Sequence, residues 1–325
     1  MKIFAFLLVI LHSTTTISGD NTADIQQLKS NFLLLLNNYR DIHKKYSTLQ
    51  SKYTDLEKSV NLKASYCQLK AQGQCGDCVC RDDLKITKKY YCDCRNQSPQ
   101  RDCLAHRQNG MKINGYYTVT MNGYQTTQVY CDQTTSGGGW TVIQRRMDGS
   151  TNFYRTWEQY KIGFGQLHHE FWQGNEDIHV LCAQALYPKG SEAMIQIKVQ
   201  GLDYLFTNQY SHFEVGSERS NYLLQVSGPS GHWHPEYFTR YENKVEFSTW
   251  DKDNDGATSY KCAYTHQFSG WWINGSRNSC TTDEAASHNL NGPYDKYRTK
   301  NWYNRITFFS QNQPWFSEIK VRRKI

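Results

Sequence analysis

Six of the chain's 11 cysteines fall between Cys67 and Cys94, at 67, 75, 78, 80, 92 and 94. The spacing C-x7-C-x2-C-x-C-x11-C-x-C has the look of a zinc knuckle, and the compartment decides between metal and disulfides. The amino terminus identifies the compartment. It reads MKIFAFLLVILHSTTTISGD, with Lys2 first, an unbroken apolar run from Ile3 to Leu11, and small or polar residues up to Gly19. That order is a secretory signal peptide, residues 1–19. The run is too short for a bilayer core, which takes about 20 residues. A secreted chain meets oxidising conditions, so residues 67–98 are expected to be a disulfide-bonded linker. The sequence does not choose among the pairings, and bridges within the chain and between chains both stay open.

The second constraint lies between the leader and the linker. With Ile25 at position a of a heptad, the a positions are Ile25, Phe32, Tyr39, Tyr46, Tyr53 and Val60, and the d positions are Leu28, Leu35, Ile42, Leu49 and Leu56. The 3-4 spacing does not slip, and residues 22–66 contain no Pro or Gly. A sustained period of 3.5 predicts a coiled coil over 22–66. Leu33, Leu34 and Leu36 widen the apolar seam, and aromatic a residues are bulky for a two-stranded core. A parallel homotrimer is the expected assembly, with a dimer or tetramer as the alternatives.

The remaining residues, 99–325, read as a mixed α+β domain with many loops. Tyr116 to Tyr130 predicts a hairpin, two β-prone runs around Asn122-Gly123. Ile195, Ile197 and Val199 alternate with polar residues as in a half-buried strand, and 156–186 reads as short helices around Gly163-Phe164-Gly165. Ile319 and Val321 alternate with Lys320 and Arg322, which predicts a strand with a solvated basic face. A net charge of +7 without any long basic run gives no footprint for nucleic acid. Asn96-Gln-Ser98 and Asn274-Gly-Ser276 are N-glycosylation sequons.

One loop carries metal chemistry. Asp251-Lys-Asp-Asn-Asp-Gly256 places carboxylates at 251, 253 and 255. An EF-hand requires a bidentate Glu at its last position and flanking helices, but Cys262 stands there and Val245–Trp250 reads as a strand. Alternating aspartates with an Asn-Asp-Gly turn still suit a hard cation, Ca2+ above all. Catalytic signals are lacking. His168-His169-Glu170 and His232-Trp-His234 lack HExxH spacing, and there is no nucleophile elbow or phosphate loop. An enzyme is not expected.

Longer matches place residues 99–325. Arg101-Asp-Cys103, Tyr130-Cys-Asp132, Gly137-Gly-Gly-Trp-Thr-Val-Ile-Gln-Arg-Arg146, Gly163-Phe-Gly165, Glu170-Phe-Trp-Gln-Gly-Asn-Glu176, the aspartate loop, Trp271-Trp272 and Asn289-Leu-Asn-Gly292 occur in order. This run resembles the fibrinogen C-terminal-like domain. The resemblance implies an α+β fold with a mixed, mainly antiparallel sheet, short helices and many loops. It implies disulfides Cys103–Cys131 and Cys262–Cys280, which leaves Cys182 as a buried thiol. It also implies a Ca2+ site made by the Asp253 and Asp255 carboxylates with the Ala257 and Ser259 carbonyls.

Lectin-like members of that family, the ficolins and tachylectins, hold acetylated sugars among aromatic side chains beside the second disulfide. The candidates here are Trp271, Trp272, Cys280, His288, Tyr294 and Trp302. The chain departs from the pattern at Thr281, which follows Cys280 in place of a His, and in the insertion Thr281–Ser287. The leading expectation is a secreted, oligomeric, calcium-dependent glycoprotein of innate-immune type that binds acetylated or other glycans on microbial or cell surfaces. The alternative is an angiopoietin-like ligand that clusters a cell-surface receptor.

Overall fold

The computed structural model describes residues 73–324 except 84–88, 186–188, 200–202, 233, 258–260, 266–268, 276–288 and 295–313, together with Cys67 and scattered positions between 26 and 52. The chain divides into two units, Met1–Ser65 and Tyr66–Ile325. The leader lies outside the described residues. In the first unit the described positions from 26 to 52 are helical. Three of the d residues, Leu35, Ile42 and Leu49, are 69%, 65% and 66% exposed, as is much of Tyr46 at an a position. The other a and d positions, apart from half-buried Phe32, lie outside the described residues.

The second unit is built on one sheet of eleven strands: β1 (Val79–Asp82), β2 (Tyr90–Asp93), β3 (Gly115–Met121), β4 (Gln125–Asp132), β5 (Trp140–Arg146), β6 (Phe164–Gly165), β7 (Phe171–Trp172), β8 (Ser191–Val199), β9 (Leu205–Val215), β10 (Leu224–Gly231) and β11 (Pro314–Arg323). The order is β1-β2-β3-β4-β5-β11-β8-β9-β10, with the β6–β7 hairpin joined to β5. Pairing is antiparallel except between β2 and β3, where Asp93 bridges Tyr116 in parallel. The expected hairpin is β3–β4. Asn122 and Gly123 sit at its tip with φ of 51° and 81°, the left-handed pair that a two-residue turn demands.

The helices α1 (Cys103–Gln108), α2 (Trp157–Ile162), α3 (Asn175–Ala185) and α4 (Pro235–Glu242) are short. α2 starts at a capping box in which Thr156 and Gln159 satisfy each other's backbone N–H groups, leaving fewer orphan donors at its first turn. α3 sorts its apolar residues between two clusters. Ile178 and Cys182 join the main core with Ile195, Ile197, Trp172 and Trp272. Val180 and Leu181 join a second cluster around Val119, Val129 and the Cys103–Cys131 bridge.

The six linker cysteines pair within the chain: Cys67–Cys80, Cys75–Cys92 and Cys78–Cys94. The pairing that the sequence leaves open is thus within the chain. β1 and β2 put Cys80 opposite Cys92 in register, so the hairpin itself gathers the sulfurs. Cys103–Cys131 forms as expected. Cys262 is disulfide-bonded, and Cys280 lies outside the described residues. Cys182 is free and buried, and burial pushes its thiol up to about 12, so almost no thiolate exists at neutral pH.

One expectation, that β11 has a solvated basic face, is corrected. Ile319 and Val321 face the main core as the alternation predicts. The opposite face is not solvated at its centre, on this strand between β5 and β8. Lys320 is 1% exposed. Its ammonium meets Asp132 Oδ2 at 2.6 Å and Glu318 Oε2 at 2.9 Å, and Glu318 also accepts from Arg145 Nε at 2.5 Å. Arg322 pairs with Glu192 and lies over the Trp140 ring, 4.1 Å from its centroid.

Candidate functional site

The aspartate loop leaves the sheet region at Phe247-Ser248-Thr249. Ser248 pairs with Trp271 as an isolated antiparallel bridge, and Thr249 pairs with Lys252 across a tight turn. Asn254 locks the turn from inside. Its side-chain amide donates to the Phe247 carbonyl at 2.7 Å, and its backbone N–H donates to Ser248 Oγ.

The three alternating aspartates then divide their work. Asp251 Oδ1 accepts from Trp157 N at 2.9 Å and from Thr249 Oγ1 at 2.8 Å, so it satisfies a first-turn donor of α2. Lys252 lies over the Trp157 ring, 3.8 Å from its centroid. Asp253 is exposed and Asp255 is 4% exposed. Asp255 Oδ1 accepts from Ala257 N at 2.7 Å and Oδ2 from Cys262 N at 2.8 Å. Its backbone carbonyl accepts from Gly275 N at 2.7 Å. A Cβ on Gly275 would come within 2.7 Å of Ala257 Cβ and 2.8 Å of Asp255 Oδ1, so only glycine lets the 275 segment lie this close.

Burial pushes the Asp255 carboxyl above its ordinary range, and neighbouring Asp253 adds to the rise; the two N–H donors offset only part of it. A buried carboxylate beside a second carboxylate is short of positive charge. That electrostatic deficit is what a hard, oxygen-seeking cation would relieve. Each Asp255 oxygen keeps lone-pair capacity after one hydrogen bond. Ala257 is described and half-buried; Ser259 lies outside the described residues.

The aromatic candidates for a sugar pocket fare differently. Trp271 and Trp272 are 2% and 1% exposed and belong to the main core. Trp272 Nε1 donates to the Tyr222 carbonyl, and its ring packs against Phe247 and Trp172. Neither tryptophan presents a face for stacking, which corrects their assignment to a pocket. Tyr294 is half-buried, with its ring against Gly149, and its hydroxyl donates to the Trp315 carbonyl at 2.9 Å. Cys280, His288 and Trp302 lie outside the described residues. Asn96 is exposed, with its amide on the Asp77 carbonyl, whereas half-buried Asn274 donates to the Tyr241 carbonyl.

The fold also assembles a group that sequence reading sets aside. His168 and His169, judged only by their spacing to Glu170, meet Asp83 from the far side of the linker hairpin. A separation of 86 residues between His169 and Asp83 leaves no local signal from which to find this contact.

Comparison with known proteins places this geometry. Residues 99–325 match the family described as fibrinogen beta and gamma chains, C-terminal globular domain. The chain is 36% identical over 231 residues to angiopoietin-related protein 7 of Homo sapiens, a match covering 69% of this chain and 61% of that protein. It is 38% identical over 214 residues to tenascin-R of Gallus gallus, covering 63% of this chain but 14% of the relative. Among solved structures, the fibrinogen-like globe domain of human ANGPTL2 superposes with a TM-score of 0.61 at 32% identity, over 70% of this chain and all of that one. This chain therefore belongs to the fibrinogen C-terminal domain family.

Proposed function

We propose that the protein is a secreted, multivalent recognition ligand: a homo-oligomer joined through residues 22–66 that presents several fibrinogen-like heads to a repeated target on a cell surface. One observation carries the reading. Leu35, Ile42 and Leu49 stand at successive d positions, are helical, and are about two-thirds exposed in the lone chain. An apolar seam of this spacing is buried by further copies of itself. Joining weak sites on one stalk raises avidity by roughly 10²–10⁴ without new contacts. The double variant Leu35→Asp/Ile42→Asp is expected to be monomeric by light scattering and to lose about 100-fold or more in surface retention. A variant that remained oligomeric would refute the stalk assignment.

A protein receptor is favoured over an acetylated glycan as the target, because buried Trp271 and Trp272 cannot stack on a sugar ring. The deciding measurement is binding of the oligomer, in Ca2+, to N-acetylated sugar resin and to receptor-bearing cells. We expect cell binding that acetylated sugar does not compete. Retention on the resin with release by acetate would return the innate-immune lectin reading to first place.

Ca2+ is proposed as the ion that organises the loop, held by the Asp253 and Asp255 carboxylates with the Ala257 and Ser259 carbonyls. Its role is to neutralise the paired carboxylates and fix the face next to Cys262. At a hundredfold excess over Kd it is expected to raise the head's melting temperature by roughly 5–10 °C. Asp253→Asn should fold normally, since exposed Asp253 accepts only a long bond from Asp255 N at 3.4 Å, yet should lose that response. An unchanged calcium response in Asp253→Asn would exclude this site.

A further inference from the structure

Asp83 follows β1 of the disulfide-bonded linker, and His168 and His169 precede β7 of the globular domain. One ligand atom from each lies within 4.8 Å of the others. We propose that these three residues form a second metal site, for a borderline divalent ion of the zinc class, which clamps the linker to the globular head.

The donor set separates this site from the aspartate loop. Two imidazoles and one carboxylate suit Zn2+ and its neighbours, whereas Ca2+ requires six or more oxygens. With neutral imidazoles, the net charge of the three side chains is that of one carboxylate, which partly offsets a divalent ion.

Distances agree with this assignment. His169 Nε2 lies 3.1 Å from Asp83 Oδ1. Two ligands about 2.1 Å from a tetrahedral ion sit about 3.4 Å apart, so an ion can replace the proton between them with little movement. The His169 side chain is 1% exposed and that of Asp83 7%. His169 Nδ1, the ring nitrogen turned away from Asp83, has no hydrogen-bond partner, so the imidazole is held through its Nε2 contact to Asp83.

His168 is held ready from behind. Its Nδ1 is hydrogen-bonded to the Tyr116 hydroxyl, its backbone N–H donates to the same oxygen at 3.0 Å, and Tyr91 stacks on its ring at 4.3 Å between centroids. An imidazole bound through Nδ1 to an outer partner offers Nε2 to a metal, with its orientation already fixed.

An entry path exists. Asp83 and His168 line a cavity of about 500 Å³ between the linker and the globular domain, together with Tyr91 and Tyr130. Water from this cavity would complete the coordination. Lys89 and Lys112 also line it but are solvent-exposed, so water screens their charge.

The test uses the purified full chain, stripped with EDTA and returned to saturating Ca2+, so that the aspartate loop is already filled. Added Zn2+ is expected to bind at one ion per chain by equilibrium dialysis and to raise the melting temperature by a further 5–10 °C or so at a hundredfold excess over Kd. Asp83→Asn keeps an acceptor for His169, and His168→Asn keeps an amide where Nδ1 meets Tyr116. Both variants should fold with an unchanged calcium response, bind Zn2+ at least 10-fold more weakly and lose the added stabilisation. Absence of zinc binding in the parent chain would overturn the proposal. So would equal binding by the variants.

Discussion

Glu170→Ala is expected to destabilise the globular head by about 3–5 kcal/mol, the range for stranding one partner of a buried ion pair. Glu170 is wholly buried. Its Oε1 accepts from Met147 N at 2.9 Å, Asp148 N at 3.2 Å, Gly149 N at 2.9 Å and Arg146 Nε at 3.3 Å, while Oε2 accepts from Thr151 N at 2.9 Å. Four successive or near-successive backbone N–H groups thus converge on one carboxylate. Removing it leaves them and a 2%-exposed guanidinium without their acceptor, and buried donors left unpaired incur their full desolvation cost.

Glu170→Gln should recover part of this, because its amide oxygen can keep the four donors that meet Oε1, while its NH2 turns toward Thr151 N and the charge opposite Arg146 is lost. Arg146 retains the Gly292 carbonyl and the Phe153 ring in either variant, so the loss falls mainly on residues 147–151. That segment carries Gly149, which sits under Tyr294; the damage would therefore reach Tyr294. Urea unfolding of the isolated head, followed by tryptophan fluorescence, measures the effect. A shift below about 1 kcal/mol in Glu170→Ala would show that the cage is not a stability element.

Local signals in the sequence were readable. Asn122-Gly123 fixed the β3–β4 turn, the alternation at Ile195, Ile197 and Val199 marked β8, and Gly163-Phe-Gly165 marked the break between two helices. Those features depend on backbone preference and side-chain period, which a short window contains. The Asp253/Asp255 pair was legible for a similar reason, since its members are neighbours in sequence. Long-range geometry was not readable. Lys320 looked solvated because alternation reveals the two faces of a strand but not what covers the second one. Trp271 and Trp272 carry no mark that separates a core ring from a pocket ring. The linker pairing needed the β1–β2 register, and the Asp83–His168–His169 group needed the linker to fold back on the head.

Lys320 also supplies a pH-dependent prediction. Burial pushes Asp132 up, but Lys320 at 2.6 Å and the Thr135 N–H together hold its carboxyl well below the usual range. Glu318 is likewise pushed up by burial and held below its ordinary value by Arg145 and Lys320. A carboxyl depressed in the folded state contributes stability above its unfolded pKa, about 4. That contribution is lost as pH falls through the folded value. Lys320→Met should therefore destabilise the head by about 3–5 kcal/mol at pH 7, where it leaves Asp132 and Glu318 charged and short of a buried partner. Below about pH 4 the parent loses its own advantage, while the variant, whose carboxyls take up protons more readily, loses less. Urea midpoints of the two proteins should accordingly approach each other as the pH falls from about 4 to about 2. A gap that stayed constant across that range would mean that Lys320 acts through the packing of its methylenes rather than through its charge.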